Sequence, residues 1–355
     1  MITDTTILCE DAVGLLKLLI AAQSFSREEH TTAALIDTFL KNRDIPVNRL
    51  VNNVWAVNKY YDETKPTLLL NSHHDTVKPN KDYTNDPFLA FEKDGKLYGL
   101  GSNDAGGCLV SLIALFVHFY GRTDLKYNLA IAATAEEEIS GINGITALLP
   151  ELGEVSCAIV GEPTLMQMAV AEKGLMVLDC TAYGSSGHAA REEGDNAIYK
   201  ALKDIEWFRT FSFPEVSPFI GPVKMSVTLI TAGTQHNVVP ATCTFTVDIR
   251  INECYTHEQV LDMIRQHVRC DVVPRSTRLR STSISQDHPL VVAGLALGIE
   301  AYGSATLSDK ALMPFPALKM GPGDSARSHM ADEYIYLHEI RQGIETYIQL
   351  LNRIL

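Results

Sequence analysis

The chain has no excess of positive charge, no paired cysteine spacing and no apolar run as long as a bilayer is thick, and each lack excludes something. Lysine and arginine number 30 against 43 aspartates and glutamates, a net charge of −13. That balance disfavours nucleic acid and anionic membrane as partners. The seven cysteines (9, 108, 157, 180, 243, 254 and 270) are scattered and odd in number, and none forms Cys-x-x-Cys. They read as free thiols in a reducing cytoplasm rather than as a disulfide framework. The opening Met1-Ile2-Thr3-Asp4 lacks the basic start of a secretory signal, and Lys17 interrupts the short apolar stretch 15–22. No segment approaches the length of a membrane span. Gly99-Leu100-Gly101 lacks the third glycine of a dinucleotide loop, and no Gly-x-Ser-x-Gly surrounds Ser325. Internal repeats and low-complexity tracts are missing as well.

What is present is an ordinary globular balance, 46% hydrophobic and 21% charged, over 355 residues, enough for two cores. The first part alternates patterns: a helix over 11–22, a buried strand over 66–70, an apolar helix over 107–120, and buried strands over 128–134 and 157–160. Such alternation predicts an α/β layer with a mixed, largely parallel sheet flanked by helices. A strand over 175–183, a helix over 196–211, strands over 225–231 and 243–250, a helix over 256–268 and an extended stretch over 271–283 follow. That order, β-α-β-β-α-β, is a ferredoxin-like α+β unit. The domains expected are therefore 1–174 with 284–355, and an insertion at 175–283. A strand over 317–320 resumes the first pattern, and Ile340, Ile344, Tyr347, Ile348 and Leu351 mark the core face of a last helix.

Four of the apolar strands run toward acids or histidines. Leu68-Leu69-Leu70-Asn71-Ser72 leads to His73-His74-Asp75, and Ile131-Ala132-Ala133-Thr134-Ala135 leads to Glu136-Glu137-Glu138. Ala158-Ile159-Val160-Gly161 leads to Glu162, and the strand before Gly321-Pro322-Gly323 leads toward His329. Open α/β sheets place their sites beyond the carboxyl ends of strands, so these side chains can converge. Imidazole and carboxylate are zinc's usual ligands where cysteine takes no part. A carboxylate such as Asp104 can bridge two ions. Plainer readings stand beside this one. Glu136 to Glu138 could be a solvated charge run, and Asp104 and Glu162 could cap helices. His188, Arg250 and Arg327 could be surface residues.

Together the motifs resemble the di-zinc metallohydrolase family that includes aminoacylase, acetylornithine deacetylase, succinyl-diaminopimelate desuccinylase and glutamate carboxypeptidases. Ser72-His73-His74-Asp75-Thr76-Val77, Gly99 to Asp104, Glu136-Glu137-Glu138, Gly161-Glu162-Pro163-Thr164, and Gly321-Pro322-Gly323 with His329 and Asp332-Glu333-Tyr334 occur in family order. The resemblance implies two Zn2+ ions per subunit (Co2+ or Mn2+ would accept the same ligands), held by His73 and Glu162 and by Glu138 and His329, with Asp104 between them. It implies Glu137 as general base and Asp75 as the residue that orients His73. It also implies a homodimer through the inserted domain, in which His188 reaches the other subunit's site. Asn237 and Arg250 would bind substrate, with Arg327 near its tail. The last motif looks most like the acetylornithine deacetylase branch, so the substrate implied is a small N-acyl amino acid. Desuccinylation, for which Arg191 or Arg327 could supply a cation, and dipeptide hydrolysis are rivals, as is a non-catalytic metal-binding homologue. Two departures from the family pattern bear on specificity: Ala105-Gly106-Gly107 follows Asp104 where a basic residue is common, and Glu136 stands where aspartate is common.

Overall fold

Four apolar runs lie side by side at the centre of a sheet, in the order Asn128–Thr134, Thr67–His73, Cys157–Val160, Ala317–Lys319, all parallel. Asn53–Val57 extends one side antiparallel to Asn128–Thr134, and on the other side Lys319 pairs antiparallel with Ala169. Every residue of Thr67–His73 and Asn128–Thr134 is buried, which is why these runs read as continuously apolar. A parallel sheet is covered on both faces and has no solvent side to alternate with. The computed structural model describes residues 5–191 and 193–355; the opening residues 1–4 read for a targeting signal lie outside them. The described chain divides into two units. One holds the residues up to Val170 with Ile284–Tyr302 and Ser308–Leu355, and the other holds Ala171–Ser283 with Gly303–Leu307.

Helices cover the sheet of the first unit. Gly107–Phe119 buries Leu109, Leu112, Ile113, Phe116 and Phe119. Each such side chain contributes roughly 1.5–3 kcal/mol by leaving water. By length and composition Ser102–Phe119 could cross a membrane, contrary to the sequence reading, but 78% of it is buried inside the fold. It is a core segment. The last helix, Leu337–Leu351, buries Ile340, Ile344, Tyr347 and Leu351 as expected, but Ile348 is only half-buried and Leu350 takes a core position. Gly343 lets this helix approach Pro322, whose Cβ would lie 3.1 Å from any carbon added there. The first helix spans Thr5–Ala21 rather than 11–22, because Leu8 and Cys9 extend the buried stripe of Ala12, Leu15, Leu16 and Leu19. The helix His30–Lys41 carries its own stripe of Thr32, Ala33, Ile36 and Leu40, which the sequence reading passed over.

The second unit is an antiparallel sheet in the order Lys224–Ala232, Thr242–Ile251, Gly174–Tyr183, Asp271–Pro274. Gly174–Tyr183 alternates buried and half-buried residues, the period-two signature of a sheet covered more fully on one face. Met176, Leu178, Cys180, Val247 and Ile249 form its core with Phe208 of the helix Ala197–Thr210 and Val260 and Ile264 of the helix His257–His267. The first of these helices is capped by Asn196, the second by a Thr256–Gln259 capping box. The extended stretch expected over 271–283 is two short strands, Asp271–Pro274 and Thr282–Ser283. All seven cysteines are free, six of them buried.

Candidate metal centre

The carboxyl ends of the four parallel strands gather the acids and histidines of the first unit. His73 is the last residue of its strand and sits opposite Thr134, one residue before Ala135 and the acidic triplet. Glu162 follows Val160 by one glycine on the neighbouring strand. His73 Nε2 lies 3.4 Å from Asp104 Oδ1, 3.8 Å from Glu162 Oε1 and 4.0 Å from Glu137 Oε2. His329 Nε2 lies 3.2 Å from Glu138 Oε2 and 3.8 Å from Asp104 Oδ2. The two oxygens of Asp104 thus face different histidines.

These spacings suit ions. Two ligands about 2.0–2.1 Å from one tetrahedral ion stand roughly 3.3 Å apart. Without cations, four carboxylates would crowd two imidazoles, and the charge would be poorly balanced. Burial opposes protonation of His73, but Asp104 and Asp75 outweigh it and lift its pKa well above the usual range. Burial also opposes the charge on Asp104, and His73, Ser328 and His329 overcome it and hold its carboxyl low. Glu137 is pushed well up by burial, with Glu162, Asp309 and Glu138 adding to the rise against the pull of His73. The donor set therefore fits a pair of divalent cations.

Behind these candidate ligands lies a layer of buried acids. Asp75, fully buried, accepts the backbone N–H of Glu137 at 3.0 Å and of Glu138 at 3.2 Å, and the hydroxyl of Ser26 at 2.7 Å. Its Oδ1 is 3.4 Å from His73 Nδ1, and its carbonyl is 3.0 Å from the same nitrogen. Glu29 accepts the N–H of Glu136 at 3.2 Å. Glu136 itself adopts a left-handed backbone at φ 56° and turns its carboxylate to Asn143 Nδ2 at 2.9 Å. His74 also turns aside: its ring nitrogens meet Thr32 Oγ1 at 2.8 Å and the Asn52 carbonyl at 3.0 Å, and burial lowers its pKa to about 4.

Other expected residues stand elsewhere. In the second unit Gly187-His188 pairs with Val238-Val239, and the Ala189 N–H donates to the Asn237 carbonyl at 3.0 Å, so His188 and Asn237 are neighbours, both exposed. Arg250 is half-buried and donates to both oxygens of Asp248, at 2.9 and 3.2 Å. Arg327 is not a solvated loop residue: it is buried, its guanidinium donates to both oxygens of Glu339 at 2.6 and 3.0 Å, and it lies over the ring of Tyr334.

The sequence reading missed Glu29 and Asp309. Asp309 is buried and accepts the Thr134 hydroxyl at 2.6 Å, and burial lifts its pKa to about 6. The adjacent charges Asp309-Lys310 in an otherwise uncharged stretch, 301–318, were its only local signal.

Comparison with known proteins adds three findings. The model of Peptidase family M20/M25/M40 matches residues 69–353. Succinyl-diaminopimelate desuccinylase 2 of Ruegeria sp. (strain TM1040) is 30% identical over 279 residues, 73% of this chain and 70% of that one. Acetylornithine deacetylase of Proteus mirabilis (strain HI4320) is 30% identical over 312 residues, 80% and 78% respectively. Among solved structures, the YXEP protein of Bacillus subtilis, described as a dinuclear metal binding peptidase from the M20 family, superposes with a TM-score of 0.74 at 15% identity over 98% of each chain. That likeness concerns the fold.

Proposed function

This chain belongs to peptidase family M20/M25/M40, a metal-dependent hydrolase of amide bonds, and from that premise we propose that it frees an amino acid from its N-acyl derivative, N-acetyl-L-ornithine foremost, giving L-ornithine and acetate. The observation that carries the reading is Asp104, with one oxygen toward His73 and the other toward His329. His73 with Glu162, and Glu138 with His329, would hold the two ions, Zn2+ by choice of ligands. Bound there, the ions would supply Lewis acidity to the scissile carbonyl and lower the pKa of the attacking water.

Glu137 takes the proton from that water and delivers it to the leaving nitrogen. Its raised proton affinity suits a group that must hold a proton between the two steps. Asp75 grips the Glu137 N–H and faces His73 Nδ1, so it orients base and ligand together. A non-catalytic homologue would have no use for such a base. Arg250 would bind the substrate carboxylate, and Asn237 would bind beside it.

A homodimer through the second unit is part of the proposal. Its edge strand Lys224–Ala232 exposes Leu229 and Ile230, and the helix Ala197–Thr210 exposes Tyr199 and Leu202. An unpaired apolar edge invites a second copy. The partner subunit's His188 would then stabilise the oxyanion. A cytoplasmic place in arginine biosynthesis follows from the substrate.

Desuccinylation is the second reading, favoured by the Ruegeria relative. It needs a cation for the succinyl carboxylate, and Arg327 is already committed to Glu339. Exposed Arg191 is the cation that remains for it. The test is kinetic: N-acetylornithine, N-succinylornithine, succinyl-diaminopimelate and simple dipeptides on one metal-loaded preparation. N-acetylornithine should show the highest kcat/KM, and dipeptides turning over far faster than every acyl-ornithine would sink the deacylase reading.

A further inference from the structure

We propose that Glu333 is a positioning residue for the metal centre, acting through the backbone that carries Asp104. The inference rests on the reading of Asp104 and His329 as ligands. Glu333 is buried, and its carboxylate gathers three backbone N–H groups of one turn. Oε1 accepts from Asn103 at 2.8 Å and Asp104 at 2.9 Å, and Oε2 accepts from Gly101 at 2.9 Å. Its own carbonyl accepts the Gly99 N–H at 3.0 Å. The turn needs this help. Gly101 is left-handed at φ 74°, a side chain there would run into Thr76, and Asp104 departs from helical geometry at φ −117°, ψ 98°. Successive N–H groups of such a turn converge and make an anion-binding concavity, and here the anion is a side chain.

The placement is costly unless it serves something. A carboxylate buried close to Asp104 adds desolvation and repulsion, and only charge-assisted bonds offset them. An amide or hydroxyl could have accepted these N–H groups at lower cost in charge. A carboxylate accepts on both oxygens at once, and so it sets the direction of the turn as well as satisfying it.

Glu333 also ties the two ends of the centre together. Four residues earlier in the chain, His329 is exposed and left-handed at φ 60°. Its carbonyl accepts from Asn80 Nδ2 at 3.1 Å. Next to Glu333, Asp332 turns to a different loop and accepts the N–H groups of Thr84 at 3.0 Å and Asn85 at 2.9 Å. Adjacent acids thus hold separate loops. Asp332 holds 84–85, and Glu333 holds the turn of Asp104 in register with the segment that brings His329.

The test uses Mn2+ added to the metal-free full-length chain, read by equilibrium binding and by electron paramagnetic resonance. Wild type should take up two ions with the signal of a coupled pair. Glu333→Gln keeps the shape but loses one acceptor and the charge. It should bind at least one ion roughly 10–100-fold more weakly and lose much of the coupled signal, with the unfolding midpoint of the metal-free chain close to wild type. Glu333→Ala should be more severe. Asp332→Asn loosens the other loop and should retain the coupled pair. Wild-type affinity and coupling in Glu333→Gln would overturn the proposal, as would equal losses in Asp332→Asn, which would mean general loosening. A wild-type chain that bound no Mn2+ would instead sink the metal-centre reading and this inference with it.

Discussion

His329 Nε2 lies 3.2 Å from Glu138 Oε2 across 191 residues of sequence. That hydrogen bond, ahead of the nearby charges of Glu138, Asp104 and Glu333, lifts the His329 pKa from 6.5 to about 9 against the pull of burial. An imidazole must be neutral to bind a metal, so ion and proton compete for this ring. Metal affinity should therefore rise with pH up to about 9 and flatten above. The metal-free chain should show the opposite trend. A histidine with a raised folded pKa contributes stability that is fully present below 6.5 and is lost as pH rises through about 9. Calorimetric titration and thermal melts across that window check both slopes, and His329→Gln should abolish this contribution to each.

Asp104→Asn leaves a side chain of the same shape without the charge that faces both histidines. Metal content after dialysis should fall below two ions per chain. Turnover should fall beyond the roughly 10–100-fold typical of changes one shell further out. Treatment of wild type with a chelator should abolish the rate, and added Zn2+ should restore it. A rate indifferent to chelation would remove the metal from the mechanism.

Glu137→Ala separates binding from chemistry. It should retain both ions, because His73, Asp104, Glu138, Glu162 and His329 all remain. It should lose roughly 10²–10⁴ in kcat, the ordinary worth of a general base. Metal analysis beside steady-state kinetics makes the comparison. An active variant would take Glu137 out of its role.

Arg327→Met separates a structural role from a substrate-binding one. Its ion pair with Glu339 is largely out of water, with side chains 10% and 13% exposed. Removing one partner of such a pair leaves a buried charge and costs about 3 kcal/mol. Urea unfolding should show that loss while KM for the acyl amino acid stays near wild type. A large rise in KM without a loss of stability would return Arg327 to the substrate site.

Mixing two inactive chains tests the dimer. If His188 acts in the other subunit's site, His188→Ala and Glu137→Ala chains exchanged into mixed dimers should together recover about a quarter of wild-type activity. Action within one chain predicts no recovery.

Much of the candidate site was legible because its acids and histidines follow strands whose burial is written in their composition. Thr67–His73 and Asn128–Thr134 are apolar almost throughout, and a polar group at the end of such a strand must be met by water, a partner or an ion. The partner of Arg327 was hidden for the complementary reason. Glu339 comes from the first turn of the last helix, and nothing local in the sequence announces that this arginine folds back onto it. Glu29, Asp309 and the work of Glu333 were hidden likewise, since each accepts hydrogen bonds from distant backbone or side chains.

Sequence alone determined the β-α-β-β-α-β order of the second unit, the parallel centre of the first, and the identity of the residues that gather there, because periodicity and burial are properties of short stretches. Tertiary structure decided what each charged side chain faces. It turned His74 away to Thr32 and Asn52, gave Asp104 a histidine on each side, and set Asp75 and Glu333 behind the turns that carry Glu137 and Asp104. The reason is range: hydrophobic patterning acts along a strand or a helix, whereas a buried charge finds its partner only after distant segments have packed.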